Sequence, residues 1–238
     1  MLRPSHALKA LGLLAMLLGL MAAFGASAAQ AELNAHWNIN GAALSSDLLK
    51  PKLQIKEIEK LGDGKQHLVL LVPLTVRVEI LCKQAELIDA LLELLGKITG
   101  KILYKECQTI INGIENMACL PETGGAPDIT TEPLEALIKL HNNKTEDLVE
   151  IKPIPPATDF VNILFPAICP LGAEALISGV FFIKDCLKEG LVEKVEHLIE
   201  EGPLTKLSFE GFPMTIDGSA LVKLVGVHEG LKWSGVAA

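Results

Sequence analysis

The stretch AELIDALLELLGKITGKI, Ala85–Ile102, decides how the rest of the chain is read. Its apolar residues Leu87, Ile88, Leu91, Leu92, Leu94, Leu95, Ile98 and Ile102 recur at spacings close to a helical turn, against Glu86, Asp89, Glu93, Lys97 and Lys101. That spacing predicts an amphipathic helix with a wide apolar face. Gly96 and Gly100 weaken such a helix or allow a close neighbour, and helix is expected to resume through ECQTIINGIENM, Glu106–Met117.

Just before it lies DGKQHLVLLVPLTVRVEIL, Asp63–Leu81, where Leu68, Leu70, Val72, Leu74, Val76, Val78 and Ile80 alternate as a long strand does. Pro73 cannot donate to a ladder and marks an edge or a bulge. Leu53 and Ile55 alternate with Lys52, Gln54 and Lys56, and Gly62-Asp63-Gly64 supplies turn residues, so the two strands read as a hairpin.

After the central helix, CLPETGGAPDITTEP is loop-like and gives a candidate boundary near residues 120–135 within one domain, 32–238. Phe160–Ile183 is the most apolar run, with Glu174 its only charge. Pro166, Pro170 and Gly172 interrupt any spanning helix, so it reads as a pair of buried helix segments. Leu187, Leu191, Val195, Leu198 and Ile199 form the apolar face of another helix, ended by Gly202-Pro203. TKLSFEGFPMTI and ALVKLVGV then read as a hairpin turning at Asp217-Gly218. The fold class that follows is α+β: antiparallel β-hairpins packed with long amphipathic helices.

The first 31 residues run from basic Arg3 and Lys9 through ALGLLAMLLGLMAAF to the small residues GASAAQA, the order of a secretory signal peptide. The protein is therefore expected to be secreted and extracellular. Loss of Arg3 and Lys9 leaves 19 basic against 29 acidic side chains, a balance of −10 from the −8 of the whole chain. Such a surface repels nucleic acid and anionic headgroups.

The five cysteines, Cys82, Cys107, Cys119, Cys169 and Cys186, are expected to meet an oxidising compartment, with one left over that could link two chains into a dimer. Connectivity stays open. The shortest loops join Cys82 to Cys107 or Cys119, and Cys169 to Cys186, a weak preference because closure entropy grows slowly with loop length. Asn143-Lys144-Thr145 is an N-glycosylation pattern.

No phosphate loop, nucleophile elbow or paired-histidine zinc motif occurs, and His67, His141, His197 and His228 are scattered. The expectation is a protein that is not an enzyme and uses no metal or other cofactor. Wide apolar faces on a secreted acidic domain suit lodging apolar ligands or spreading at an interface, peripherally at a membrane or at an air–water surface. The alternative is a secreted structural or interaction protein, disulfide-linked and without a small ligand.

Leu53–Ile80 resembles the hairpin of the PLUNC and bactericidal/permeability-increasing protein family, with a strand, a turn containing Asp-Gly, and a strand carrying an apolar-Pro-Leu step. Leu87–Ile114 is similar to that family's leucine-rich helix leading to a cysteine. The resemblance implies a groove between a twisted sheet and long helices, and a host-defence or surfactant role at mucosal surfaces. It places Leu68, Leu70, Val72 and Leu74 on the strand wall, and Leu91, Leu95 and Ile98 on the helix wall, as lipid-binding residues. It also implies a strand-to-helix disulfide from Cys82 to Cys107 or Cys119. The negative charge favours a lipid or surfactant role over binding of endotoxin phosphates, which calls for Lys and Arg.

Overall fold

In the computed structural model, Ala85–Ile102 is not a helix: it is most of a long β-hairpin. The structure describes residues 35–45, 51–59, 66–70, 76–122, 127–141, 146–184, 191–200 and 205–237. These contain no α-helix, only two 3-10 turns at Met117–Cys119 and Gly226–His228. The α+β expectation, and every long amphipathic helix in it, is therefore replaced by an almost wholly antiparallel β fold curled into a half-barrel.

The strands in chain order are β1 (His36–Ile39), β2 (Ala42–Ala43), β3 (Lys52–Glu59), β4 (Gln66–Leu70), β5 (Val78–Glu93) and β6 (Lys97–Ile111). Then come β7 (Ile114–Glu115), β8 (Ile129–Thr130), β9 (Leu134–His141), β10 (Glu146–Pro153), β11 (Asp159–Leu164) and β12 (Glu174–Lys184). The last are β13 (Lys194–Glu200), β14 (Lys206–Phe209), β15 (Phe212–Met214), β16 (Ser219–Val225) and β17 (Trp233–Val236).

The helical look of β5 comes from strand irregularities. Before Lys83 the strand buries Val78, Ile80 and Cys82; beyond it, Ala85, Ala90 and Leu92. The β5–β6 ladder is interrupted where Lys83 faces Glu106, an ion pair of 2.8 Å, with the register kept, and it shifts register between Ile88 and Leu91, where Asp89 has a φ of 50°. Each irregularity lets the buried face slip by one position. Apolar spacings of two and three then alternate, and with Ile88 and Leu91 half-buried on the other face the sum imitates a helical period. The partner strand decides the outcome, because β6 is rich in β-branched and aromatic residues such as Ile98, Thr99, Ile102, Tyr104 and Thr109.

The β5–β6 turn has both Leu95 and Gly96 at positive φ, 59° and 67°, the backbone of a type I′ hairpin turn. Asn112-Gly113, inside the expected second helix, repeats it at 51° and 80° and joins β6 to β7.

The long alternating strand of Asp63–Leu81 is likewise two strands: β4 folds back on the start of β5, with Leu70 opposite Val78 and Gln66 opposite Cys82. β3 pairs with β16 along seven positions and lies against β5, with Lys52–Leu91 as its ladder pair among the described residues. Phe160–Ile183 forms β11 and most of β12, not helix segments, and Lys194–Glu200 of the expected last helix is strand β13. The C-terminal hairpin turns at Glu210-Gly211 between β14 and β15, while β16, beyond Asp217-Gly218, pairs with β13 and β3 instead.

Laterally the main sheet runs β10–β9–β6–β5–β3–β16–β13–β12, and β12 also meets β10 through Val149–Ile183, Glu150–Phe182 and Ile151–Phe181. β12 serves two regions. Its first half pairs with β11 and β14, its last residues with β10 and β13. The change falls at Gly179, φ 110°, where a Cβ would overlap the Lys206 carbonyl oxygen. A separate small sheet, β17–β1–β2, packs on the β5–β6 turn: Trp37 Nε1 donates to the Lys97 carbonyl at 2.9 Å, and the Trp37 and Trp233 rings lie 5.8 Å apart.

Two disulfides fasten the sheet. Cys82–Cys107 joins directly paired residues of β5 and β6. Cys119–Cys169 ties the 3-10 turn after β7 to the β11–β12 connection, so Cys169 does not pair with Cys186 as the shortest loop would have it. Val72, Leu74, Asn143 and Cys186 lie outside the described residues.

Candidate functional site

The curl of the sheet leaves a partly open apolar cavity of about 150 Å³. It exists because inward positions carry little side chain. Ala85 and Ala90 on β5, Gly100 on β6, Ala136 on β9 and Ala220 on β16 all line it. Gly100 is obligatory here: a Cβ would stand 2.8 Å from Ala90 Cα, opposite the register shift in β5. Larger side chains close the space, among them Ile98 and Ile102 from β6, Ile151 from β10, and Phe181 and Ile183 from β12. Cys82 of the cross-strand disulfide also contributes. An engineered apolar cavity of this volume in another protein stays dry and takes up a benzene-sized molecule.

Polar groups on the lining are few. Thr99 Oγ1 donates to Glu93 Oε1 at 3.0 Å. Lys101, Asp217 and Ser219 contribute to the edge. Tyr104, the chain's one tyrosine, continues the inward series Ile98, Gly100, Ile102 along β6. Its ring is half-buried by surface area, since one side faces the cavity, yet the surrounding protein excludes enough water to push the phenol up to about 12. Its hydroxyl has no hydrogen-bond partner among the described residues.

The opposite face of the same wall is charged. Lys97 Nζ reaches Glu135 at 2.8 Å, Lys152 lies between Glu135 at 3.4 Å and Glu150 at 3.5 Å, and Lys139 approaches Glu150 at 3.9 Å. The hydrogen bond from Lys97, helped by the charges of Lys97 and Lys152, lowers the Glu135 pKa from 4.5 against the opposing effect of its burial. These pairs bind β6, β9 and β10 together from outside.

Of the residues expected on the ligand wall, the structure brings Ile98 to the cavity. Leu91 is half-buried at the narrow β3–β5 seam, and Leu95 is 57% exposed in the turn. Leu68 and Leu70 lie on β4, beside the start of β5. The alanines, Tyr104 and the β10, β12 and β16 residues were not singled out by sequence reasoning. The in-phase Ile98-x-Gly-x-Ile-x-Tyr pattern could have shown the β6 wall, had the segment been read at period two.

His228 is buried in a 3-10 turn away from the cavity lining, and among the described residues no three His, Cys, Asp or Glu side chains gather as a metal site. The lining offers burial and a few hydroxyl-bearing residues, Thr99, Tyr104 and Ser219. Comparison with protein-family models, with curated proteins and with solved structures finds no match to this chain.

Proposed function

We propose that the protein binds a small apolar molecule inside the half-barrel and acts outside the cytoplasm. The observation that carries this reading is the cavity itself, walled by Ile, Leu and Phe and kept open by alanines and a glycine. Moving an apolar group from water into it contributes about 25 cal/mol per Å² removed from water, opposed by the ordering of the ligand. Eight-stranded curled sheets are the size that either fills with side chains or holds one small ligand. The two disulfides suit an oxidising compartment, and no described helix is long and apolar enough to cross a membrane. A host-defence or surfactant role at mucosal surfaces is the finer part of the proposal and rests on the sequence pattern of Leu53–Ile80 alone, since Leu87–Ile114, likened to a helix of the PLUNC and bactericidal/permeability-increasing family, is a β-hairpin.

A second reading, a contact protein without a small ligand, draws support from the opposite end. There Ile114, Met117 and Ile168 are 73%, 65% and 77% exposed around the Cys119–Cys169 bridge. Such side chains suit contact with another surface.

Organic-solvent extraction of the protein purified from a secretion host, followed by mass spectrometry, separates the two. A co-purified apolar molecule at a stoichiometry near one is expected. A clean extract together with no uptake of small aromatic hydrocarbons would leave the contact reading.

A further inference from the structure

We infer that the cavity selects a small neutral molecule bearing one oxygen acceptor, such as a ketone, ester or ether, which receives a hydrogen bond from the Tyr104 hydroxyl. The inference rests on the ligand-binding reading above and specifies the chemistry of its occupant.

Three features of the lining lead to it. The first is size. A volume of about 150 Å³ encloses a ring or a short branched chain and not a whole lipid. The second is the placement of Tyr104. A wall built only to exclude water is served as well by phenylalanine, whereas a phenol adds a hydrogen-bond donor to an otherwise apolar wall. Tyr104 stands in phase with Ile98 and Ile102 on the cavity side. Burial keeps that phenol protonated far above neutral pH, so it remains a donor.

The third is charge. Alternation along β6 puts Lys101 out of phase with Ile98, Ile102 and Tyr104, its side chain belonging to the other face. An anionic headgroup would then be desolvated without a cation from the inward positions of β6, which is unfavourable. An oxygen acceptor without charge satisfies the phenol and avoids this cost.

Three probes share one ring and differ only at the head: acetophenone carries the acceptor, cumene is its apolar counterpart, and benzoate is the anion. Calorimetric titration of the full protein and of Tyr104→Phe is expected to show acetophenone binding about five-fold more weakly to the variant, the loss of one neutral hydrogen bond. Cumene should bind the two proteins equally. Near-ultraviolet dichroism from the Trp37–Trp233 pair checks that the variant is folded, and Ala136→Leu, which fills the space from another wall, should exclude both neutral probes.

Acetophenone bound equally by both proteins would overturn the role of Tyr104 and leave the cavity reading standing. Benzoate bound more tightly than acetophenone would overturn the neutral head. Failure of cumene and acetophenone alike to bind the unaltered protein would overturn the ligand-binding reading, and this inference with it.

Discussion

The two ends of the curled sheet use the same ladder and different side-chain volumes. Where β11, β12, β14 and β15 meet, Phe160, Phe165, Phe209 and Met214 are buried together with Ile163 and Ile177, so large side chains fill the inward positions. Where β5, β6, β9 and β16 meet, Ala85, Ala90, Gly100, Ala136 and Ala220 face inward, and the interior is hollow. Phe181 lines the cavity on one side and lies 5.3 Å from the Phe160 ring on the other. Backbone topology therefore does not make the hole; residue size at a few inward positions does. Interior packing supports the full end, and the hollow end adds a row of ion pairs on its outer face, from Lys97 to Lys139.

Gly179 is where β12 passes from one end to the other, and replacing it should break both at once. In Gly179→Ala the new methyl meets the Lys206 carbonyl at a φ of 110°, so the β12–β14 ladder has to part. A cost of at least about 3 kcal/mol is expected. Gly113→Ala is the control: φ is 80° but nothing lies within 4 Å, so only the conformational penalty of about 1 kcal/mol applies. Urea denaturation that gives the two variants equal losses would remove Gly179 as the joint between the regions.

One substitution made at each end tests the contrast in packing. Ala175 is fully buried on β12 opposite Ile163, among large side chains, and Ala175→Leu should cost about 1–3 kcal/mol. Ala136, set between Ile98 and Ile151 in the ladder, faces the cavity, and Ala136→Leu should change stability by less than about 1 kcal/mol in either direction. Denaturation midpoints of the two variants measure this directly. Similar losses at both positions would mean that the hollow end cannot accept volume.

Part of this arrangement was visible in the sequence. Strand alternation in Leu53–Lys56 and His67–Leu70, and a Cys82 bridge to Cys107 as one of two local choices, correspond to described features. Ala85–Ile102 was misread because the break in the ladder at Lys83 and the register slip between Ile88 and Leu91 convert a period of two into a mixed period that a helix template also fits. A local signal did oppose the second helix. Asn112-Gly113 between Ile110-Ile111 and Ile114 is a strong short-range hairpin pattern, and it outweighs any helical spacing across it.

The cavity was much less legible. Its alanines lie on β5, β9 and β16, come together only through the ladder, and individually look like good helix formers. The Cys119–Cys169 bridge was hidden for the same reason, since residues 50 apart are brought together by tertiary structure and not by loop length.

The smallest expected effect concerns how the hollow end is held. Glu135 is 14% exposed, on the face of β9 opposite the cavity-lining Ala136, and its carboxylate is stabilised chiefly by the hydrogen bond from Lys97 and then by the charges of Lys97 and Lys152. Its pKa in the folded protein is lower than in the unfolded chain, so the unfolded chain takes up the proton first as pH falls. The stabilisation is therefore complete above the ordinary value of 4.5 and disappears as pH drops through the lower folded value. Glu135→Gln lacks this term at every pH. At pH 7 the unaltered protein should exceed the variant by no more than about 1 kcal/mol, because the flanking lysines are partly solvated, and the gap should close below pH 4.5. Paired urea titrations between pH 7 and pH 3 read that gap. A gap constant across the range would mean that the lysines do not hold the carboxylate, and the hollow wall would then depend on its backbone ladder and the Cys82–Cys107 bridge.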